Sequence, residues 1–295
     1  MKANLFIVGA PKCGTTAWYE YLRSHPDIFM PDLKEPGFFA LDLPNWRGIR
    51  ADEEYSRLFA DRGVARIIGE ASGIYLISET AAQAIRAYNP AARILIFLRE
   101  QEDFLPSFHN LNRYEFAEGI RDFETAWRLS GRRPPETIPP SVEPKVLDYV
   151  AIGRFRQQVS RYLDAFGEKQ VRVFWFQDWV ADPRSTYLEI LDFLELQDDG
   201  RNEFGQINAG TTFRPRWVVR FLRNPPPTAR AIVRLLKRAT GLRRATQDVL
   251  VEKIVRLLTA RGYKKEISPQ LRHEIRRCYA DDNRRLNERL RLVRR

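Results

Sequence analysis

Short apolar runs alternate with amphipathic segments along the first two thirds of the chain. Runs with few polar positions are typical of parallel strands buried on both faces, and they occupy residues 5–8, 66–70, 93–99 and 171–176. Apolar residues spaced by three or four positions predict helices at residues 15–24, 53–60, 80–88, 102–116, 146–166 and 182–194. Strands that alternate with helices predict an α/β, doubly wound fold with a central parallel sheet and right-handed crossovers.

Beyond residue 208 the pattern becomes helical throughout. Helices are expected within residues 215–240, which Pro225-Pro226-Pro227 interrupts, and at 246–261 and 268–292. The sequence therefore predicts one domain over residues 1–295. Its α/β core would span 1–213, and a helical, basic C-terminal extension over 214–295 would be packed on that core.

The net charge of +11 is concentrated in this extension. Residues 214–295 hold 24 Lys and Arg against 7 Asp and Glu, whereas residues 1–213 hold 25 against 31. Three interpretations remain open: solvated outer helix faces, a peripheral contact with an anionic membrane, or binding of nucleic acid. Trp217, Phe221 and Leu222 beside arginines suit the membrane contact. Nucleic acid has the least support because no recognised binding motif accompanies the charge.

Cysteine content and hydropathy bear on the compartment. Cys13 and Cys278 make no disulfide framework, which suits a reducing environment. The first apolar run ends at Pro11-Lys12, too early for a signal peptide, and no stretch is long enough to span a membrane. We expect a cytoplasmic protein, with the inner membrane face as a peripheral location.

The segment Gly9-Ala10-Pro11-Lys12-Cys13-Gly14-Thr15-Thr16 joins the first strand to the first helix. Such a connection directs backbone N–H groups and a helix N-terminus at one spot, which favours phosphate or sulfate. Nucleotide-triphosphatase loops carry lysine directly after the second glycine, whereas here Lys12 lies inside the loop and Thr15 follows Gly14. A plain glycine turn is the alternative interpretation.

Three chemically useful residues follow predicted strands. Lys12, Glu70 and Arg99 stand at or just past the carboxyl ends of their strands. Ligands bind at this edge of open α/β sheets, so we expect the three side chains to converge there.

Four motifs in order resemble sulfotransferases that use 3′-phosphoadenosine 5′-phosphosulfate (PAPS), of the carbohydrate (heparan-sulfate-like) and bacterial branch with a P-loop-type three-layer fold. Besides the loop, the resemblance rests on Lys34-Glu35-Pro36-Gly37-Phe38-Phe39, on Gly69-Glu70-Ala71-Ser72-Gly73-Ile74-Tyr75, and on Leu95-Ile96-Phe97-Leu98-Arg99-Glu100 with Ser107. It extends over nearly the whole chain.

The resemblance implies where the donor PAPS would bind. Residues 12–16 (Lys12, Cys13, Gly14, Thr15 and Thr16) would hold the 5′-phosphosulfate, with Lys12 at the bridging oxygen, where it stabilises developing charge. Arg99 and Ser107 would hold the 3′-phosphate, for which the planar arginine fork is well suited. Arg214 would close over that phosphate.

The resemblance also implies the catalytic groups. Glu70 would be the general base, with Lys12 and Lys34 as cations facing the transferred sulfuryl group. An ion pair of Glu70 with Lys12 or Lys34 is the structural alternative. A lysine commonly follows this glutamate in the heparan-sulfate enzymes, but Ala71 follows it here, which weakens the case for a polyanionic glycan acceptor. His109 is a rival base, although it lacks the sequence setting of histidine-dependent sulfotransferases.

The sequence thus predicts sulfuryl transfer from PAPS to a hydroxyl of a carbohydrate, lipid or other small acceptor. No metal is expected because basic residues supply the charge and no metal-ligand spacing occurs. A P-loop kinase for a small molecule is the alternative enzyme, and a non-catalytic basic protein that binds nucleic acid or membranes is the alternative of another class. The loops at 30–48 and 110–145 would contact the acceptor but do not identify it.

Overall fold

The structure, a computed structural model, describes residues 2–205, 211–213, 259–261 and 267–293. Contacts divide the chain into two units, Met1–Ile207 with Ile267–Arg295, and Asn208–Glu266. Arg214, the helix expected within 215–240, the helix expected at 246–261 except for its last three residues, and the residues of the membrane interpretation lie outside the described residues. The predicted division at residues 213 and 214 stays a prediction.

Five parallel strands form the central sheet, in the order β2-β3-β1-β4-β5. Their bounds are β1 Leu5–Gly9, β2 Ile28–Phe29, β3 Ile67–Ala71, β4 Arg93–Leu98 and β5 Val171–Trp175. The predicted α/β class with a parallel sheet is confirmed. β1 lies at the centre and is buried along its whole length, as expected for an apolar strand with helices on both faces.

Nine α-helices precede residue 205 in the described part of the chain. They are α1 Thr15–Arg23, α2 Asp52–Arg57, α3 Ala81–Tyr88, α4 Gln101–Tyr114, α5 Phe123–Arg128, α6 Tyr149–Ile152, α7 Phe155–Phe166, α8 Phe176–Ala181 and α9 Pro183–Phe193. Short 3₁₀ helices occupy Pro44–Trp46, Gly73–Leu76, Pro135–Thr137, Pro144–Leu147 and Glu168–Gln170. The long helix over Pro269–Val293 is called the C-terminal helix below.

The helix predicted over 146–166 is wrong in one respect, because it is broken into a 3₁₀ turn, α6 and α7. The break is caused by Tyr279 of the C-terminal helix. Its hydroxyl lies 3.1 Å from the carbonyl oxygen of Tyr149 and 3.0 Å from that of Val150, and shares its one proton between them. A Cβ on Gly153 would lie 2.4 Å from the Tyr279 ring, so only glycine admits this tyrosine.

The C-terminal helix packs on α4 and α7 through the buried side chains of Leu271, Ile275, Tyr279 and Leu286. Gln101 and Asn283 exchange two amide hydrogen bonds of 2.8 and 2.9 Å across this contact. In the second unit, β6 (Thr211–Phe213) and β7 (Thr259–Arg261) pair antiparallel. The prediction of helices alone beyond residue 208 is therefore wrong at these residues, because pairing between segments far apart in the chain leaves no trace in local periodicity. None of the described helices is long and apolar enough to cross a membrane.

Candidate active site

The loop between β1 and α1 has a backbone that few residues can adopt. Gly9 and Gly14 have positive φ angles of 142° and 91°, and Lys12 has one of 65°. A Cβ on Gly14 would lie 2.2 Å from a ring carbon of Trp179 in α8. Only glycine suits this position, because any other residue would clash with that ring and would be strained at this positive φ. The loop is therefore clamped between the sheet and α8.

The N-terminus of α1 opens on this loop. No side chain in the described part of the chain caps the helix, and its first turn holds no acidic residue. Its first amides therefore lack intrahelical partners and favour an anion. Thr15 is buried and Thr16 is half-buried. The binding role predicted for Cys13 is one of the loop backbone and stays a prediction; its side chain is fully buried, and its N–H donates to the carbonyl of Ala10 (3.3 Å).

Three predicted cations gather around the loop. Lys12 keeps solvent access. Its pKa is nevertheless lowered, first by desolvation among surrounding protein atoms and then by the charges of Arg99 and Lys34. Mutual repulsion of this kind is relieved by a bound anion. The predicted convergence of Lys12 and Arg99 on one sheet edge is therefore supported.

Arg99 lies directly after β4 with its guanidinium 4.5 Å from the ring centroid of Phe176, the first residue of α8. It contacts Asp103 at 3.7 Å, and its buried Nε has no hydrogen-bond partner among the described residues. Asp103 and Ser107 are four residues apart in α4, so they share a helix face. Arg99 therefore contacts the face of α4 that also carries Ser107, and their shared binding of one phosphate stays a prediction.

Glu70 lies one residue before the carboxyl end of β3, close to its predicted position, but its side chain does not reach solvent there. It is opposite Phe6 within the sheet, because β3 continues to Ala71, and its side chain is fully buried. Its carboxylate accepts three hydroxyl hydrogen bonds, from Ser72 (2.6 Å), Tyr55 (2.9 Å) and Tyr75 (3.1 Å). Burial raises its pKa to about 7 although these donors lower it. The ion pair considered with Lys12 or Lys34 does not occur.

Glu35 is a functional candidate that the sequence analysis overlooked. It has a left-handed backbone with φ of 61°, and its N–H donates to the carbonyl of Ala71 (2.9 Å). One carboxylate oxygen pairs with Lys34 and the other accepts from the N–H of Gly73 (2.7 Å). Its side chain remains 46% exposed, whereas that of Lys34 is 18% exposed. Its position beside Lys34 in the motif was the available signal.

Two aromatic residues of α8 were also overlooked. Phe176 faces Arg99 and Trp179 covers Gly14, so this short helix borders both predicted phosphate sites. The indole Nε1 of Trp179 is buried without a partner among the described residues. An aromatic cluster just after a strand was the only sequence signal.

His109, the rival base, packs inside the fold. It is buried, its Nε2 lies 3.0 Å from the carbonyl of Ile120, and it packs edge-on against Phe123 and Tyr149. Burial lowers its pKa to about 4. A structural role accounts for these contacts. Among the described residues no group of three or more His, Cys, Asp or Glu is arranged to hold a metal ion.

Comparison with known proteins adds a family match. A family model described as "Sulfotransferase domain" matches residues 2–214. A crystal structure of a sulfotransferase from Alicyclobacillus acidocaldarius is 28% identical and superposes with a TM-score of 0.61. The match covers 84% of this chain and 99% of that one.

Two curated relatives match part of the chain. Heparan sulfate glucosamine 3-O-sulfotransferase 6 of Homo sapiens is 26% identical over 256 residues, which cover 78% of this chain and 66% of the human protein. The Mus musculus protein of the same name is 26% identical over 205 residues, or 65% of this chain and 52% of that protein. The matches thus span just under two thirds and about half of these relatives' lengths.

Proposed function

The chain belongs to the sulfotransferase family, and from this we propose that it transfers a sulfuryl group from PAPS to a hydroxyl of a carbohydrate, lipid or other small acceptor. Lys12, Gly14, Thr15 and Thr16 would hold the 5′-phosphosulfate. Arg99 and Ser107 would hold the 3′-phosphate, together with Arg214, which lies outside the described residues. The sulfuryl group would pass from the bridging oxygen to the acceptor oxygen, and the donor would leave as adenosine 3′,5′-bisphosphate (PAP).

One observation carries this proposal: Lys12 stands beside the N-terminus of α1, which no described side chain caps, and its pKa is lowered by desolvation and then by the nearby charges of Arg99 and Lys34. Such an arrangement is costly without a partner, and a bound polyanion offsets the repulsion. Lys12 would stabilise the charge that develops on the bridging oxygen as the S–O bond breaks. The cations would thus supply the electrostatic stabilisation that the reaction needs.

A carboxylate general base would take the proton of the acceptor hydroxyl. A base must come within about 2.6–3.2 Å of that hydroxyl. Glu70, the base predicted from the sequence, is fully buried and already accepts three hydroxyl hydrogen bonds. The exposed carboxylate of Glu35, paired with Lys34 beside the loop, meets the requirement better. We therefore propose Glu35 as the base, with Glu70 as the alternative that mutation must decide.

The acceptor is proposed only as a class. The curated relatives carry heparan sulfate glucosamine in their names, which keeps a carbohydrate among the acceptors. Ala71 follows Glu70 in place of the lysine common in heparan-sulfate enzymes, so one positive charge for a polyanionic chain is missing. A neutral glycan, a lipid or a phenolic hydroxyl fits the remaining charge at least as well.

Labelled donor tests the proposal. Purified protein should release PAP and transfer labelled sulfuryl groups when it is offered a panel of glycan, lipid and phenolic acceptors. Lys12→Ala is the matched inactive variant, because it removes the loop cation and leaves the sheet intact. Phosphoryl transfer from a nucleoside triphosphate, with no PAP release from PAPS, would favour the kinase alternative instead.

The base is tested on the same assay. Glu35→Gln keeps the side-chain shape but cannot accept the proton, so kcat should fall by about 10²–10⁴ while PAP affinity holds. Glu70→Gln should cost much less. A larger loss in Glu70→Gln than in Glu35→Gln would restore Glu70 as the base.

A further inference from the structure

Glu70 remains to be explained once it is no longer the proposed base. A fully buried carboxylate in a parallel sheet is expensive unless its hydrogen bonds are satisfied. All three of its partners are hydroxyls, from α2 (Tyr55), from the residue after β3 (Ser72), and from the following 3₁₀ helix (Tyr75). Two of these hydroxyls also make a second hydrogen bond, to a segment of the candidate active site.

Ser72 and Tyr75 each also form a hydrogen bond with the segment that carries Lys34 and Glu35. The Ser72 hydroxyl accepts from the N–H of Gly37 at 3.0 Å, and the Tyr75 hydroxyl accepts from the N–H of Phe39 at 3.3 Å. A hydroxyl has one proton and two lone pairs. Because both hydroxyls donate their protons to Glu70, their lone pairs are left to accept from the backbone N–H groups of residues 37 and 39.

We propose that Glu70 is a positioning residue, which orients the hydroxyls of Ser72 and Tyr75 so that they hold the backbone at Gly37 and Phe39 and thereby fix Lys34 and Glu35 beside the loop. The chain between them is short, since Gly37 follows Glu35 by two residues. The Glu35 carboxylate is held from the same side, by the N–H of Gly73 next to Ser72. The catalytic part of this inference rests on the proposed function.

The third hydroxyl provides a matched control. Tyr55 donates to the same oxygen of Glu70 as Tyr75 does, and its ring stacks on Phe38 at 4.3 Å. Among the described residues its hydroxyl accepts no hydrogen bond from residues 34–39. We call the two hydrogen-bonded paths, from Glu70 through Ser72 to Gly37 and from Glu70 through Tyr75 to Phe39, the relay. Tyr55→Phe therefore removes one hydrogen bond to Glu70 and leaves both paths of the relay intact.

Amide exchange measured by NMR tests the relay without needing an acceptor. Ser72→Ala should speed exchange of the Gly37 amide by about 3- to 10-fold, as expected for one lost hydrogen bond. Tyr75→Phe should do the same for the Phe39 amide, and Glu70→Gln for at least one of them. In Glu70→Gln, an amide NH₂ group replaces one carboxylate oxygen. A hydroxyl that donated its proton to that oxygen then has no acceptor there. Tyr55→Phe should leave both amides unchanged.

Kinetics then test the positioning role. Ser72→Ala and Tyr75→Phe should lower kcat by about 3- to 10-fold. PAP affinity and the KM for the donor should stay within about twofold, because Lys12 and Arg99 are untouched. A loss of kcat in Tyr55→Phe as large as in Tyr75→Phe would assign the effect to general packing and overturn the positioning role.

The two proposals fail in different ways. Unchanged exchange of the Gly37 and Phe39 amides in Ser72→Ala and Tyr75→Phe would overturn the relay, whatever the activity. Faster exchange with unchanged kcat would overturn its catalytic role and leave the sulfotransferase assignment standing. If Glu70→Gln does not fold, the Ser72 and Tyr75 variants still decide the matter.

Discussion

The buried carboxylate of Glu70 predicts an unusual dependence of stability on pH. Its pKa is raised from 4.5 to about 7, so the folded protein keeps a proton that the unfolded chain has already released. Between these two values the folded state binds more protons, and the free energy of unfolding therefore falls as pH rises. At 1.36 kcal/mol per pKa unit, the whole effect is about 3 kcal/mol.

Glu70→Gln isolates this contribution because glutamine does not titrate. Urea unfolding, followed by tryptophan fluorescence between pH 4.5 and 8, gives the difference in unfolding free energy between wild type and variant. The wild type should lose about 3 kcal/mol relative to the variant over this range. Neighbouring Tyr55, Tyr75 and Tyr88 have raised pKa values and stay neutral throughout. A difference that is constant with pH would refute the burial argument.

Further predictions concern the loop, the helix break and metal dependence. Gly14→Ala places a Cβ against the Trp179 ring, so it should destabilise the fold by about 1–3 kcal/mol and abolish PAP binding. Gly63→Ala is the control, because Gly63 also has a positive φ but has open space around it, and this variant should retain PAP binding. Urea unfolding would measure the stability of the two variants and calorimetry their PAP binding. Tyr279→Phe should lower the unfolding free energy by about 1–3 kcal/mol because it removes the hydroxyl's hydrogen bonding to the carbonyls of Tyr149 and Val150, and no change in urea unfolding would contradict that role. Sulfuryl transfer should survive EDTA, because cations of the protein supply the charge; loss of turnover that Mg²⁺ restores would favour kinase chemistry.

Sequence patterns were sufficient for the sheet and for the loop. The apolar runs predicted β1, β3, β4 and β5 to within one or two residues, since strands buried on both faces leave little ambiguity. In the central sheet only the two-residue β2 was overlooked, because so short a strand has no pattern of its own. The three-residue strands β6 and β7 of the second unit were overlooked as well. The glycine spacing predicted the turn between β1 and α1 for the same local reason, and the binding of an anion there stays a prediction.

The remaining features depend on residues far apart in the chain. The break near Gly153 is made by Tyr279, 130 residues after Tyr149, whose carbonyl it binds. The burial of Glu70 depends on Tyr55 and Tyr75 as well as on the extension of β3 to Ala71. Glu35 was overlooked because a left-handed φ, which directs its carboxylate to Gly73, cannot be inferred for a glutamate from its neighbours.

Titration of the protein with PAP tests the central claim most directly, because it requires no knowledge of the acceptor. Calorimetry should show saturable binding at one site, and Arg99→Ala should weaken it by about 10- to 100-fold, as expected for a charged hydrogen bond worth about 1.5–3 kcal/mol. Arg93→Ala is the matched control, since Arg93 begins the same strand at the opposite edge of the sheet and pairs with Glu195. It should bind PAP like the wild type. No binding by the wild type, or equal affinity in Arg99→Ala, would contradict the account.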